Sequence, residues 1–293
     1  MSTVLKNVIT SLRIQHWFKN GFIFIPLIFA KLLFDKLAVL KVIETFVLFC
    51  LLSSAIYLIN DVIDKEKDKM HPYKSRRPIA SGALSVKIAV ICSLILVAVS
   101  LFFAFKIGYA LGLIFLFYLL WNLLYSFYLK NLVIFDIFAV SGNYLLRVYA
   151  GAISINVLVS PYLFLIILLF SLLVSSGKRK HELNLLNEGA MNHRPVLKEY
   201  SCEFLDQLII FSSILATVIY LLYTIASQTI AKFETVNLIY TTPIVIYGMM
   251  RYLYLVNIKK IGSPTEAFLS DKPLFWSVVL WLLVCILIIY FKI

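Results

Sequence analysis

Nine apolar stretches recur along the chain, at about residues 21–36, 40–60, 87–105, 108–128, 132–154, 160–177, 206–227, 236–256 and 273–291. Helices rising about 1.5 Å per residue approach the roughly 30 Å of bilayer hydrocarbon at these lengths. In lipid, a spanning helix satisfies its backbone amides within the segment. The predicted architecture is therefore all-α, an integral membrane protein built as one bundle of about nine transmembrane helices. No stretch between spans is long enough for a separate soluble domain, so residues 1–293 read as a single domain.

Composition supports this reading. The chain is 62% hydrophobic and 14% charged, whereas a soluble domain is about half apolar and a quarter charged. The opening MSTVLKNVITSLRIQHWFKN has no signal-peptide apolar core or small-residue cleavage site, so the first span is expected to be retained. Cys50, Cys92, Cys202 and Cys285 show no paired spacing and read as packing residues without a disulfide. The net charge of +12 sits in membrane loops. It points to anionic headgroups or a phosphorylated substrate, not to nucleic acid.

Loop charge also predicts orientation. Twenty of the 27 lysines and arginines fall at the N-terminus and in the connections after spans two, four, six and eight. The opposite side has six, and Arg147 lies inside span five. The positive-inside rule puts the N-terminus and the basic loops in the cytoplasm, the C-terminus outside, and the chain in the cell (inner) membrane.

Topology does not explain the acids in NDVIDKEKDKMHPYKSRRPIASG, residues 60–82. Asn60, Asp61, Asp64 and Asp68 fall within a helical arc of roughly 100° at the inner end of span two. Crowded carboxylates repel unless a cation lies between them. Mg²⁺ fits, because it takes one or two carboxylates and completes its shell with water and substrate phosphate. The ordinary alternative is a solvated helix end balanced by Lys65, Lys67 and Lys69. His71, Lys74, Arg76 and Arg77 follow at once, and acids beside cations suit a diphosphate.

Two further clusters stand out. In span five Asp136, Asn143 and Arg147 lie within about 40° around the helix. Ionisable groups there face a polar cavity by default, with a structural contact as the alternative. Tyr125 and Lys130 lie just before, at the inner end of span four. SSGKRKHEL closes span six with Lys178 and Glu182 at i and i+4, flanked by Arg179 and His181. That spacing is an ordinary helical pair or part of a polar pocket. His181 and His193 lack a zinc-ligand pattern. Arg13, Trp17 and Lys19 mark the entrance to span one as interfacial anchors, with Lys19 a further candidate phosphate contact.

The pattern NDxxDxxxD at the end of a span resembles the UbiA superfamily of intramembrane prenyltransferases. DKMHPYKSRRPIASG, YSFYLKNLVIFDIFAVSGNYLLRVYAGA, KRKHEL followed by His193–Arg194, and TTPIVIYGMMRYLYL resemble its phosphoribosyltransferase branch, which acts on decaprenyl phosphate. The resemblance implies transfer of 5-phosphoribosyl from phosphoribosyl pyrophosphate to a polyprenyl phosphate, releasing pyrophosphate. It implies a Mg²⁺ cofactor held by Asp61, Asp64 and Asp68 with Asn60 in support. Phosphate binding then falls to Lys19, Lys74, Arg76, Arg77, Tyr125, Lys130, Arg147, Lys178, Arg179 and Glu182, with Asp136 and Asn143 as intramembrane polar groups. Substrates and membrane lipids are the expected partners, and the oligomeric state is left open. Aromatic-acceptor members carry a second Asp-rich motif after span six, where this chain has basic KRKHEL. Prenyl transfer to an aromatic acceptor stands as the nearer alternative, and a transporter lined by Asp136 and Arg147 as the farther one.

Overall fold

The computed structural model describes residues 3–70, 73–186, 195–261 and 264–292, all-helical among them and without strands. His71, His193 and Arg194 lie outside the described residues. The α-helices, in chain order, begin with α1 (Thr3–Leu12), α2 (Ile25–Phe29), α3 (Lys36–Ile63) and α4 (Lys65–Lys69). There follow α5 (Val86–Ile107), α6 (Tyr109–Phe127), α7 (Phe135–Ser154) and α8 (Pro161–Leu186). The series ends with α9 (Cys202–Ile225), α10 (Ser227–Phe233), α11 (Thr242–Asn257), α12 (Pro264–Ser270) and α13 (Lys272–Phe291).

Six helices among the described residues are long and apolar enough to cross a membrane: α3, α5, α6, α8, α9 and α13. They match six of the nine expected spans. The other three positions differ. The first expected span is broken into a 3₁₀ helix, Ile14–Phe24, and the single turn of α2, where Pro26 stands in the first turn. A 3₁₀ run of 11 residues is long for this tighter geometry and marks a segment shaped by its surroundings. α7 has 20 residues but carries Asp136, Asn143 and Arg147, and α11 has only 16.

Short polar caps start five of the six long apolar helices, α6 being the exception. The side chains of Asp35, Ser85, Ser160, Ser201 and Asp271 accept hydrogen bonds from the N–H groups of Ala38, Ile88, Leu163, Phe204 and Leu274. Each satisfies an amide that has no partner inside its helix.

The chain divides into two compact units. The first comprises Met1–Ala139 and Leu146–Leu158. Its centre is α3, whose span is 61% buried, whereas that of α5 is 22% buried and turns Ile91, Leu94, Ile95 and Phe102 outward. A helix apolar on its exposed face is stable against lipid, not water. Phe49 of α3 packs edge-on against Phe115 of α6 and tilts against Tyr118. Gly151 lets α7 press its backbone against the 3₁₀ helix, since a Cβ there would lie 2.0 Å from the Ile23 carbonyl oxygen.

The second unit comprises Val140–Leu145 and Val159–Ile293. Within it α8 packs on α9, and α11 packs on both α9 and α13. Trp281 donates to the Tyr220 hydroxyl (2.8 Å), which lies 2.5 Å from the Thr241 hydroxyl.

Candidate active site

In the first unit, the end of α3 carries the acids. α3 stops at Ile63, Asp64 caps it, and α4 continues the same winding, with the Asp68 N–H donating to the Asp64 carbonyl at 2.8 Å. The helical stripe read from the sequence is thus largely kept, but its members face different partners. Asp61 and Asp68, buried at 3% and 5% exposure, converge on one nitrogen. Arg77 Nη1 donates to Asp61 Oδ1 at 3.1 Å and to Asp68 Oδ2 at 2.5 Å. Arg13 Nη2 also donates to Asp61 Oδ1, and its guanidinium lies over the Tyr57 ring at 4.8 Å. Asp64 accepts from Lys130 Nζ at 2.8 Å. Asn60 Oδ1 accepts from the Ser126 hydroxyl of α6 at 2.5 Å.

The electrostatics follow from this crowding. Burial pushes the Asp68 carboxyl above the usual aspartate range, and nearby Asp61 adds to the rise, while Arg77 and Lys74 oppose it. A buried acid in this position calls for a cation. Among the described residues no three carboxylate, imidazole or thiol groups gather closely enough to hold an ion by themselves. Asp61 and Asp68 nevertheless offer hard oxygen donors aimed at a single point. That donor set fits Mg²⁺, which needs few protein ligands when phosphate oxygens complete its shell.

A second polar group lies deeper in the same unit. Arg147 of α7 is buried; its Nε donates to Asn20 Oδ1 at 2.8 Å and its Nη2 to the Tyr118 hydroxyl at 3.1 Å. The guanidinium lies 5.5 Å from the ring centres of both Phe49 and Tyr118. Aromatic faces and neutral oxygens are among the groups that hold this charge, with the cation–π contacts favoured in a desolvated site. Asp136 is fully buried in the first turn of α7, where the helix N-terminus favours a negative charge.

In the second unit, α8 carries the basic motif. Arg179 is 1% exposed and donates to Glu182 at 2.7 Å, whereas exposed Lys178 is 4.0 Å from the same carboxylate. The expected i,i+4 pair is thus present but long, and Glu182 lies nearer the i,i+3 arginine. Lys180 clamps three helices, donating to Asp206 of α9 (2.6 Å) and Asn257 of α11 (2.7 Å). Gly177 lies under the Tyr252 hydroxyl, 2.7 Å from where a Cβ would stand. The hydroxyls of Ser175, Ser176 and Tyr252 are buried and unpartnered among the described residues.

The remaining expected residues are placed as follows. Lys74 begins a short 3₁₀ helix beside Asp68, and Arg76 on the same turn is exposed. Lys19, Tyr125 and Asn143 are half-buried. Sequence reasoning gave Arg13 no site role and missed Asn20, Tyr118 and Ser126. Asn20 had a readable signal as a polar residue at the head of an apolar stretch. Tyr118 and Ser126 had none, being ordinary residues of a membrane helix.

Comparison with known proteins bears on this arrangement. The UbiA prenyltransferase family model matches residues 23–279. The chain is similar to the decaprenyl-phosphate phosphoribosyltransferase of Corynebacterium glutamicum, 31% identical over 97% of this chain and 86% of the relative. It is 30% identical to the Mycobacterium tuberculosis protein of that name, over 96% of this chain and 93% of the relative. A UbiA homolog from Archaeoglobus fulgidus, solved bound to GPP and Mg²⁺, shares the fold. Its TM-score is 0.70 at 17% identity, covering 97% of this chain and 99% of that one. The chain is an enzyme of the transferase class and belongs to the UbiA prenyltransferase family.

Proposed function

We propose that the enzyme transfers a 5-phosphoribosyl group from phosphoribosyl pyrophosphate to a polyprenyl phosphate and releases pyrophosphate. The observation that carries this reading is the ring of cations around the acids at the end of α3. Arg13, Arg77 and Lys130 contact Asp61, Asp68 and Asp64 directly, and Lys74 lies close enough to pull on Asp68. Such a site presents charge of both signs, as a metal-bound diphosphate requires. The basic α8 motif, with Lys178 and Arg179, supports a donor richer in phosphate than a prenyl diphosphate. The names of the two bacterial relatives agree with this choice.

In this reading Asp61 and Asp68, with Asn60 and Asp64 around them, would hold Mg²⁺. When bound, the ion supplies positive charge to the departing pyrophosphate. Arg77, Lys74 and Lys130 orient the pyrophosphate oxygens. The bond from ribose C1 to pyrophosphate oxygen breaks through an oxocarbenium-like state, and a lipid phosphate oxygen forms the new bond to C1. The attacking oxygen is already anionic, so positioning replaces a general base. We also infer nine membrane passages, counting the 14–29 segment, α7 and α11, with the N-terminus and basic loops cytoplasmic.

The test is incubation of the purified protein with labelled phosphoribosyl pyrophosphate, a panel of polyprenyl phosphates and Mg²⁺, with lipid products weighed by mass spectrometry. The expected outcome is a phosphoribosylated lipid with stoichiometric pyrophosphate, falling by about a hundredfold or more in Asp61→Asn. Binding of prenyl diphosphate in preference to phosphoribosyl pyrophosphate would instead favour prenyl transfer to an aromatic acceptor. Wild-type turnover in Asp61→Asn would remove that residue's role.

A further inference from the structure

The three contacts that join Arg13 and Arg77 to Asp61 and Asp68 place guanidinium groups at the position a divalent cation would occupy. Asp61 Oδ1 accepts from both arginines, and Asp68 Oδ2 accepts from Arg77. Two nearly buried carboxylates are thereby neutralised by two side chains that are themselves 19% and 28% exposed. The acids are locked inside, and the arginines reach in from outside.

Arg13 has the means to leave. It stands between α1 and the 3₁₀ helix with φ 52 and ψ 51, a left-handed conformation sparsely populated by non-glycine residues. Surrounding contacts must hold such a conformation, and the carboxylate of Asp61 and the Tyr57 ring are the contacts its side chain makes here. The Tyr57 ring offers a face along which the planar guanidinium can move while keeping its cation–π contact. Arg77, which links the two acids and follows a short 3₁₀ helix, would yield the same point to a cation whether or not Arg13 is present, so the comparison of Arg13 variants isolates Arg13.

We propose that Arg13 is an exchangeable counter-ion, released from Asp61 when a divalent cation binds the Asp61–Asp68 pair and thereby freed to take a phosphate oxygen of the donor. The inference rests on the metal reading above and adds a coupling to it. A cation arriving alone must displace a guanidinium that then has no anionic partner, only its cation–π contact. A cation arriving with a diphosphate provides the displaced group with a new one. Metal and phosphate therefore bind with positive cooperativity, and by linkage each strengthens the other equally.

The probe is Mn²⁺, followed by electron paramagnetic resonance on detergent-purified protein without phosphate ligands. Arg13→Gln removes the competitor while keeping a polar side chain. It should bind Mn²⁺ roughly tenfold more tightly than wild type, a difference of about 1.4 kcal/mol. Arg13→Lys should retain most of the competition. Lys69→Gln, which removes only the exposed partner of Glu66, should leave affinity unchanged. In a second arm, Mn²⁺ should tighten pyrophosphate binding several-fold more in wild type than in Arg13→Gln, where the coupling is lost. Mn²⁺ should also raise the melting temperature of Arg13→Gln more than that of wild type, which shows that the variant is folded. Equal or weaker Mn²⁺ binding by folded Arg13→Gln would overturn the exchange and leave the metal reading intact. Absence of Mn²⁺ binding in wild type and variants alike would overturn both.

Discussion

Replacing Gly151 with alanine tests whether the packing of α7 sets the position of Arg147. The added Cβ would stand 2.0 Å from the Ile23 carbonyl oxygen, 2.9 Å from its carbon and 3.1 Å from its Cα. All three are backbone atoms, so no side chain can swing aside. Ordinary contact begins at 3.4 Å, so the two segments must separate locally by about 1.4 Å, the difference from 2.0 Å. Arg147 is one helical turn before Gly151, and Asn20 is one 3₁₀ turn before Ile23. Their 2.8 Å hydrogen bond would be carried beyond the usual 3.2 Å limit by that movement. Overpacking costs about 1–3 kcal/mol, whereas alanine gains up to about 1 kcal/mol over glycine inside a helix. Crowding against backbone therefore wins. Thermal melting in detergent should show Gly151→Ala several degrees below wild type, with slower turnover in the transfer assay proposed above. Gly21→Ala is the control, since nothing lies within 4 Å of a Cβ there. A Gly151→Ala protein as stable and as active as wild type would refute the link between this contact and Arg147.

Two other perturbations follow from the second unit. Asp271 caps α13 through the Leu274 N–H and grips Arg251 with both carboxylate oxygens. The hydrogen bond from Arg251 holds its carboxyl below the ordinary value of 3.8, so its stabilisation is present above that pH and is lost as pH falls through the native value. Asp271→Ala should lose about 1 kcal/mol of capping at neutral pH, and melting curves should show the ion-pair part of its deficit closing below pH 3.8; a deficit that grows on acidification would contradict the assignment. Tyr252→Phe removes a buried, unpartnered hydroxyl, so it should melt at or above wild type. A melting temperature clearly below wild type would show that the hydroxyl has a partner after all.

Much of this protein was legible locally. Apolar stretches long enough for a bilayer predict helices because a helix closes its hydrogen bonds within four residues, whatever surrounds it. Asp61, Asp64 and Asp68 could be placed on one stripe for the same reason, and the near-unbroken winding from α3 into α4 keeps them there. The break in the first expected span was less legible, because Gly21 and Pro26 permit a 3₁₀ run without requiring one.

The partners of the acids were decided only in three dimensions. Arg13 is 48 positions from Asp61, Lys130 is 66 from Asp64, and Arg147 is 127 from Asn20. No periodicity spans such distances, so pairing depends on which helix faces which, and that depends on packing details such as the missing side chain at Gly151. The sequence by itself determined a helical membrane protein with a row of acids at the end of one span. The tertiary structure alone decided that two of those acids share one arginine while the third turns to a lysine, because the identity of a charge's neighbour is a property of the packed fold, not of the helix that carries it.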